Sequence, residues 1–390
     1  MLTGAPICCL LWFFFGFSFV FGPSVGGVIG NPLTHAAFND VFQGCYPDTH
    51  VPASSYAMFQ MMFAAISPLL ITGAYAGRLS LRASLCLTTL WEVLVYYPVA
   101  HWIWGGGWLS RMGAQDFAGG IVIHTTAGTA SVVCALVLGQ RAGFDKAGGH
   151  FPPSSLPMVM VGGALLCTGW FGFTAGCVLN VDVGSRTAIA IVNTQLAAAI
   201  SACVWALLVW RQRTPNLTDV LNGAIAGLAG ITPCAGYVYP WKALIVGLLS
   251  GVLSYEFVEV ARFRWGLDDA LDVSAVHGVT GVVGSIAIGI LANREIGGHS
   301  TGLVYDFGFK DPAIVSSLRF LGVQCLAVVV AGAYSALVTY AILRFLKAIK
   351  SLSDLQDSDD DDDDAADLHH ATGHVQVSAM ARPTERTPLL

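Results

Sequence analysis

Charge is what this sequence has least of. Only 11% of its 390 residues are Asp, Glu, Lys or Arg, whereas soluble domains carry about 25%. A surface so poor in charge excludes a soluble enzyme, a nucleic-acid binder and a disordered scaffold. Metal-ligand spacing is missing too. No CxxC occurs among the ten cysteines, and Cys8, Cys9, Cys86, Cys134, Cys167, Cys203 and Cys325 sit in apolar runs, as small core residues do. No metal, cofactor or disulfide framework is implied. The N-terminus lacks a basic n-region, and its apolar run is too long for a cleaved signal peptide.

What is present is apolar residues, at 55%, with 44 glycines and a mean hydropathy of +0.65. The net charge of −6 is unevenly spread. Residues 1–350 hold 17 basic against 15 acidic residues, and the last 40 hold 2 against 10. A membrane span needs about 20 apolar residues. Ten stretches qualify: 6–29, 55–76, 80–102, 118–140, 156–180, 186–209, 218–237, 241–262, 274–292 and 313–347. The expectation is an all-α polytopic membrane domain over 1–350. The acidic tail over 351–390, with its Asp359–Asp364 run, is too polar to bury a core and reads as disordered.

With the N-terminus inside, thirteen basic residues fall on the cytoplasmic side and six outside, from Arg111 to Arg319. The positive-inside rule therefore puts both termini in the cytoplasm. The Asn-Leu-Thr sequon at Asn216 then faces the cytoplasm and carries no glycan. Glycine pairs such as Gly119-Gly120 and Gly162-Gly163 suit close helix packing.

Two segments place an acid and a histidine alike. Asp116 precedes His124, with Gly128 four residues further on, and Asp272 precedes His277, with Gly281 four residues further on. An ionisable group inside a span normally faces a pathway or a partner. A single such histidine reads as a satisfied core residue, but two in one pattern favour a pathway. Spans four and nine run in opposite directions, which is the signature of an inverted five-helix repeat with its site at the repeat interface. The first repeat then has four helices, so one N-terminal helix is expected to be absent.

These residues resemble the signatures of the ammonium transporter family (Amt/Mep, related to the Rh proteins). Asp116-Phe-Ala-Gly-Gly-x3-His124 is similar to one of them. So are Ala100-His-Trp-Ile-Trp-Gly-Gly-Gly107, Gly169-Trp-Phe-Gly-Phe-Thr-Ala-Gly176 and Asp268-Asp-x2-Asp272-x4-His277-Gly278. The resemblance runs over about residues 8–347. It implies a protein of eleven helices with its N-terminus outside, of which this chain has ten, and a homotrimer with one pore per subunit. The implied substrate is ammonium or ammonia, with methylammonium as an analogue, and no nucleic acid or enzymatic step is implied.

The resemblance also implies site roles. Trp104, Phe59 and Cys177 would recruit NH4+ at the outer vestibule, with Cys177 standing where the family usually has serine. Phe63 and Phe173 would stack as a gate, and His124 and His277 would be the paired pore histidines. A cation over aromatic faces gains about 0.5–2 kcal/mol, and a thiol is a weaker acceptor than a hydroxyl. Trp102 and Trp108 read as interfacial belt residues. For Asp116 an electrostatic and a structural role both stay open, while Asp268, Asp269 and Asp272 read as structural or capping acids. Gly77 replaces the family's usual glutamate beside Arg78, so one loop ion pair is expected to be lost.

The chain ends Glu385-Arg-Thr-Pro-Leu389-Leu390, which resembles an acidic dileucine sorting signal. It implies a sorting adaptor as partner and a plasma-membrane or endosomal, lysosomal or vacuolar location in a eukaryote. Two other readings stay open: an ammonium sensor or regulatory subunit that conducts poorly, and a shortened reading of a gene whose product has eleven helices.

Overall fold

The computed structural model describes residues 3–47, 49–144, 149, 151–179, 185–297, 300–304 and 314–349. The acidic tail over 351–390 and the dileucine residues Glu385, Leu389 and Leu390 lie outside the described residues.

Ten helices carry the apolar runs. They are α1 (Gly4–Phe21), α2 (Ala53–Ala74), α3 (Leu81–Met112, interrupted at 104–107), α4 (Gly120–Leu138), α5 (Leu156–Ala175), α6 (Arg186–Trp210), α7 (Leu217–Ile231), α8 (Pro240–Phe263), α9 (Ser274–Leu291) and α10 (Ile314–Ala348). Among the described residues, nine are long and apolar enough to cross a membrane, and α7 is shorter. α7 falls short of the expected 218–237 because Pro233, with no amide hydrogen to donate, follows its last turn. Asn216 starts α7: its side chain accepts the amide of Asp219, and the Asp219 carboxylate accepts the amide of Asn216.

The first span is also shorter than its expected 6–29. Gly22-Pro23 stops α1, and the chain turns into a hairpin, β1 (Ser24–Val25) against β2 (Ile29–Gly30). Gly26 and Gly27 make that turn at φ of +62° and +79°. His101 holds the hairpin to α1, bonding Val20 O through Nδ1 at 2.7 Å and Ser24 Oγ through Nε2 at 2.8 Å. Trp102 is buried here and donates from its indole to Val28 O at 2.9 Å. Its indole thus anchors the hairpin to α3.

Two large buried clusters form the interior, one built mainly by α1–α4 with α10 and the other by α6–α9. α10 straps both. Gln324 accepts the amide of Gln115 and donates to the carbonyls of Gln115 and Ser285. Ser335 donates to Thr126 O at 2.7 Å, and Trp91 donates to Thr339 at 3.1 Å. Every polar atom of Gln324 is thus satisfied inside the bundle, as burial requires. By contrast α5 leaves most of its apolar surface uncovered, including Met158 and Leu165.

Candidate functional site

The site is built from the two helix starts that carry the histidines. Before α4, the carboxylate of buried Asp116 accepts the amides of Gly119, Gly120, Ile121 and Val122 at 2.7–3.0 Å. Burial pushes this carboxyl above its ordinary pKa range, against the pull of those four donors. Gly119 turns the chain at φ +115°, and a wide π turn over Gly120–Thr125 presents His124.

α9 begins the same way. Asp269 lies eight residues before His277, as Asp116 lies eight before His124, and its carboxylate accepts the amide of Ser274 at 2.8 Å. A second π turn, Ser274–Val279, presents His277. The acid that matches Asp116 in this role is Asp269. The acid-before-histidine pattern pairs Asp116 with Asp272, but that residue lies only five positions before His277, and its carboxylate instead meets Arg262 at 2.6 Å.

The two turns meet across the bundle with no side chain between them. A Cβ on Gly128 would collide with the backbone of Gly278, and one on Gly281 would lie 2.7 Å from the Cβ of His124. This approach brings His124 Nδ1 to 3.2 Å from His277 Nδ1. Two neutral imidazoles can share that contact only if one Nδ1 donates and the other accepts. One Nε2 is then a lone-pair acceptor and the other an N–H donor. His124 Nε2 is buried with no partner among the described residues.

Aromatic rings continue the line from His124. Phe173 lies 6.4 Å from the His124 ring, and Phe63 stacks on Phe173 at 4.4 Å with 13° between planes. Trp104 meets Phe63 edge-on at 5.8 Å, and Phe59 meets it at 4.8 Å. The Trp104 indole is fixed by donating to Asp116 O at 2.8 Å. Cys177 packs into the same cluster, and its thiol donates to Phe173 O at 3.4 Å.

Trp170 was missed as a site residue. Its indole lies nearly parallel to both histidines, 5.6 Å from His124 and 6.4 Å from His277, and donates to Thr232 Oγ1 at 2.9 Å. The available signal was its place three residues before Phe173, on the same face of one helix.

At the far end of the bundle Asp268 is nearly fully buried and takes three hydrogen bonds from Arg141, two from its guanidinium and one from its amide. Burial alone would raise this carboxyl, but the Arg141 bonds and the nearby Arg78 charge outweigh it and hold it below the ordinary range. Arg78 bonds the carbonyls of Ala74, Gly139 and Asp268. Gly77, at φ +71°, supplies the turn that lets it reach them.

A bundle of membrane-length helices with a histidine pair and an aromatic stack in its interior defines a multi-span membrane protein of transporter type. The chain matches the Ammonium Transporter Family over residues 2–372 and belongs to that family. It is 44% identical over 351 residues to ammonium transporter 1 of Dictyostelium discoideum, covering 89% of this chain and 73% of the relative. Among solved structures it resembles Mep2 of Saccharomyces cerevisiae with a TM-score of 0.78 and 31% identity, over 90% of this chain and 79% of the other. A structure named Sensor Amt Protein also matches, with a TM-score of 0.77 and 29% identity over 90% and 84% of the two chains.

Proposed function

We propose that this chain takes up NH4+ beside Trp104, Phe59 and Cys177 and passes it as ammonia, with or without a relayed proton, between Phe63 and Phe173 and along His124 and His277. The observation that carries this reading is the 3.2 Å contact of the two histidines next to the stacked phenylalanines. Moving intact NH4+ through so apolar a lining would carry a large desolvation cost, which ammonia avoids. The histidine pair offers ammonia one donor and one acceptor, and an imidazole nitrogen is a group through which a released proton can be passed on. Trp104, Phe59 and Phe63 offer ring faces, whose negative π density suits a small cation and not an anion. Asp116 spends both oxygens on backbone amides, which favours a structural role for it over direct ion binding.

The uncovered apolar face of α5 suits lipid or further copies of the chain, in keeping with a homotrimer in the bilayer. The terminal dileucine would direct that assembly through a sorting adaptor to an endosomal, lysosomal or vacuolar membrane, with the plasma membrane as the other destination. The test of the pore is uptake of labelled methylammonium by transport-deficient cells expressing His124→Ala or His277→Ala. Both variants should lose or alter uptake while remaining in the membrane, and wild-type uptake in both would overturn the assignment.

A second reading, an ammonium sensor that conducts poorly, is favoured by two observations. The chain is similar to the sensor Amt structure, and a thiol stands at the recruitment position. Saturable methylammonium uptake by the wild-type chain separates the two, because a sensor would bind without it.

A further inference from the structure

The two helix starts use one left-handed corner each, and the corners are filled differently. Three residues after Asp116 stands Gly119 at φ +115°, and three residues after Asp269 stands Asp272 at φ +50°. Both corner carbonyls feed the π turn that follows. Gly119 O accepts the amides of Ile123 and His124, each at 2.9 Å, and Asp272 O accepts those of Ala275 and Val276 at 2.9 and 2.8 Å. Glycine adopts this conformation freely, whereas any other L residue meets a steric cost there, with Asn and Asp among the least penalised. The chain therefore retains a side chain where its own first half uses none.

That side chain has defined work in the structure. Both oxygens of Asp272 accept from Nη2 of Arg262 on α8, at 2.6 and 2.9 Å. Asn222 on α7 donates to it at 3.4 Å. The first corner has no such tie, and Asp116 holds the amides that follow it with four bonds. Asp269 holds the second turn through the amide of Ser274, with that of Val273 nearby. The less firmly capped turn is the one tethered sideways. A polar cavity of about 190 Å³, lined by Asn222, Glu259, Arg262 and Asp272 among others, lies beside the tether. This face of the corner is thus set apart from the apolar packing that holds the rest of α9.

We infer that Asp272 is a positioning residue, whose bonds to Arg262 and Asn222 fix the corner that sets the π turn and with it His277. The inference rests on the proposed histidine pore. It assigns Asp272 no contact with the substrate.

The experiment measures methylammonium uptake against concentration for the full chain in transport-deficient cells, normalised to protein in the membrane. Asp272→Gly relaxes the backbone but cuts the tether to Arg262 and Asn222, so its maximal rate should fall roughly tenfold, the lower end of the range for a lost hydrogen bond between charged groups. Its half-saturation concentration, set at the Trp104 end, should stay unchanged. Arg262→Ala should give the same split, and the double variant should be no worse than the poorer single one, as expected of residues acting through one contact. Asp272→Asn keeps the left-handed preference and a hydrogen-bonding side chain, and should restore most of the rate. A wild-type maximal rate in Asp272→Gly, or additive losses in the double variant, would overturn the inference. His277→Ala in the same assay keeps the two failures apart. Wild-type uptake there overturns the pore itself, whereas a loss there beside a normal Asp272→Gly overturns only the tether.

Discussion

Gly128 lies directly against Gly278, so the backbones of α4 and α9 touch at the level of the histidine pair. The contact explains how two rings from residues 153 positions apart come within hydrogen-bond distance. It also makes Gly128 a position where an added methyl group has no room. Gly128→Ala must push the helices apart, and overpacking of this kind costs about 1–3 kcal/mol. Thermal unfolding of the detergent-solubilised protein should show that loss together with reduced uptake. Gly332→Ala is the comparison, because its Cβ would meet Thr129 and Thr125 at ordinary contact distances of 3.4 and 3.7 Å. Equal stability of the two variants would remove the claim that this approach is tight.

Recruitment is tested at the other end of the aromatic column. The Cys177 thiol donates to Phe173 O, and a serine hydroxyl there can make that bond and still offer a better lone pair to an ion. Cys177→Ser should lower the half-saturation concentration for methylammonium a fewfold to about tenfold, the range set by a bond worth about 0.5–1.5 kcal/mol. Trp104→Leu should raise it, by removing a ring face and the bond to Asp116 O. An unchanged concentration dependence in Cys177→Ser would take this residue away from the ion.

Much of this was legible in the sequence because the bilayer imposes simple rules. Each apolar run became a helix, and the paired histidines stood out as ionisable groups in spans. Three kinds of feature were not legible. The ends of α1 and α7 depend on Gly22-Pro23 and Pro233, whose breaking effect is hidden inside continuous hydropathy. The acid equivalent to Asp116 is picked out by its eight-residue spacing to the histidine, but that Asp269 acts as a cap while Asp268 and Asp272 are ion-pair partners shows only in the hydrogen bonds. Trp102 and Trp170 were hidden among many aromatics, and their roles rest on the carbonyl of Val28 and the hydroxyl of Thr232, remote in the chain.

Asp269 gives a pH dependence with a definite sign. Burial pushes its carboxyl up to about 6, against about 3.9 in an unfolded chain. The fold therefore favours the neutral acid, in keeping with Oδ1 having no partner among the described residues. Its contribution to stability is whole below about pH 4 and is lost as pH rises through 6, a change of about 2–3 kcal/mol at most. Solubilised wild-type protein should thus lose stability between pH 5 and pH 7.5 relative to Asp269→Asn, whose neutral amide can still accept the Ser274 amide. Asp268 does not confuse the measurement. Its pKa is lowered, so its contribution disappears only below about pH 4. Parallel pH curves for wild type and Asp269→Asn would refute a neutral Asp269.

Trp170 supplies the last prediction. Its ring lies 17° from the plane of His124 and 14° from that of His277, so it forms one flat wall along both. It cannot turn away easily, because its indole bonds Thr232, whose hydroxyl donates in turn to Leu228 O at 2.7 Å. Trp170→Leu keeps apolar volume but removes the wall, leaving both imidazoles free to tilt. Maximal uptake should fall while half-saturation stays constant, because Trp104, Phe59 and Cys177 are untouched. Thr232→Val separates the wall from its anchor: the indole loses a bond worth about 0.5–1.5 kcal/mol but keeps its packing. Its uptake should therefore stay near wild type, with a small drop in thermal stability. Normal maximal uptake in Trp170→Leu would show that the histidines hold their geometry without the indole. A rise in half-saturation alone would place Trp170 in recruitment instead.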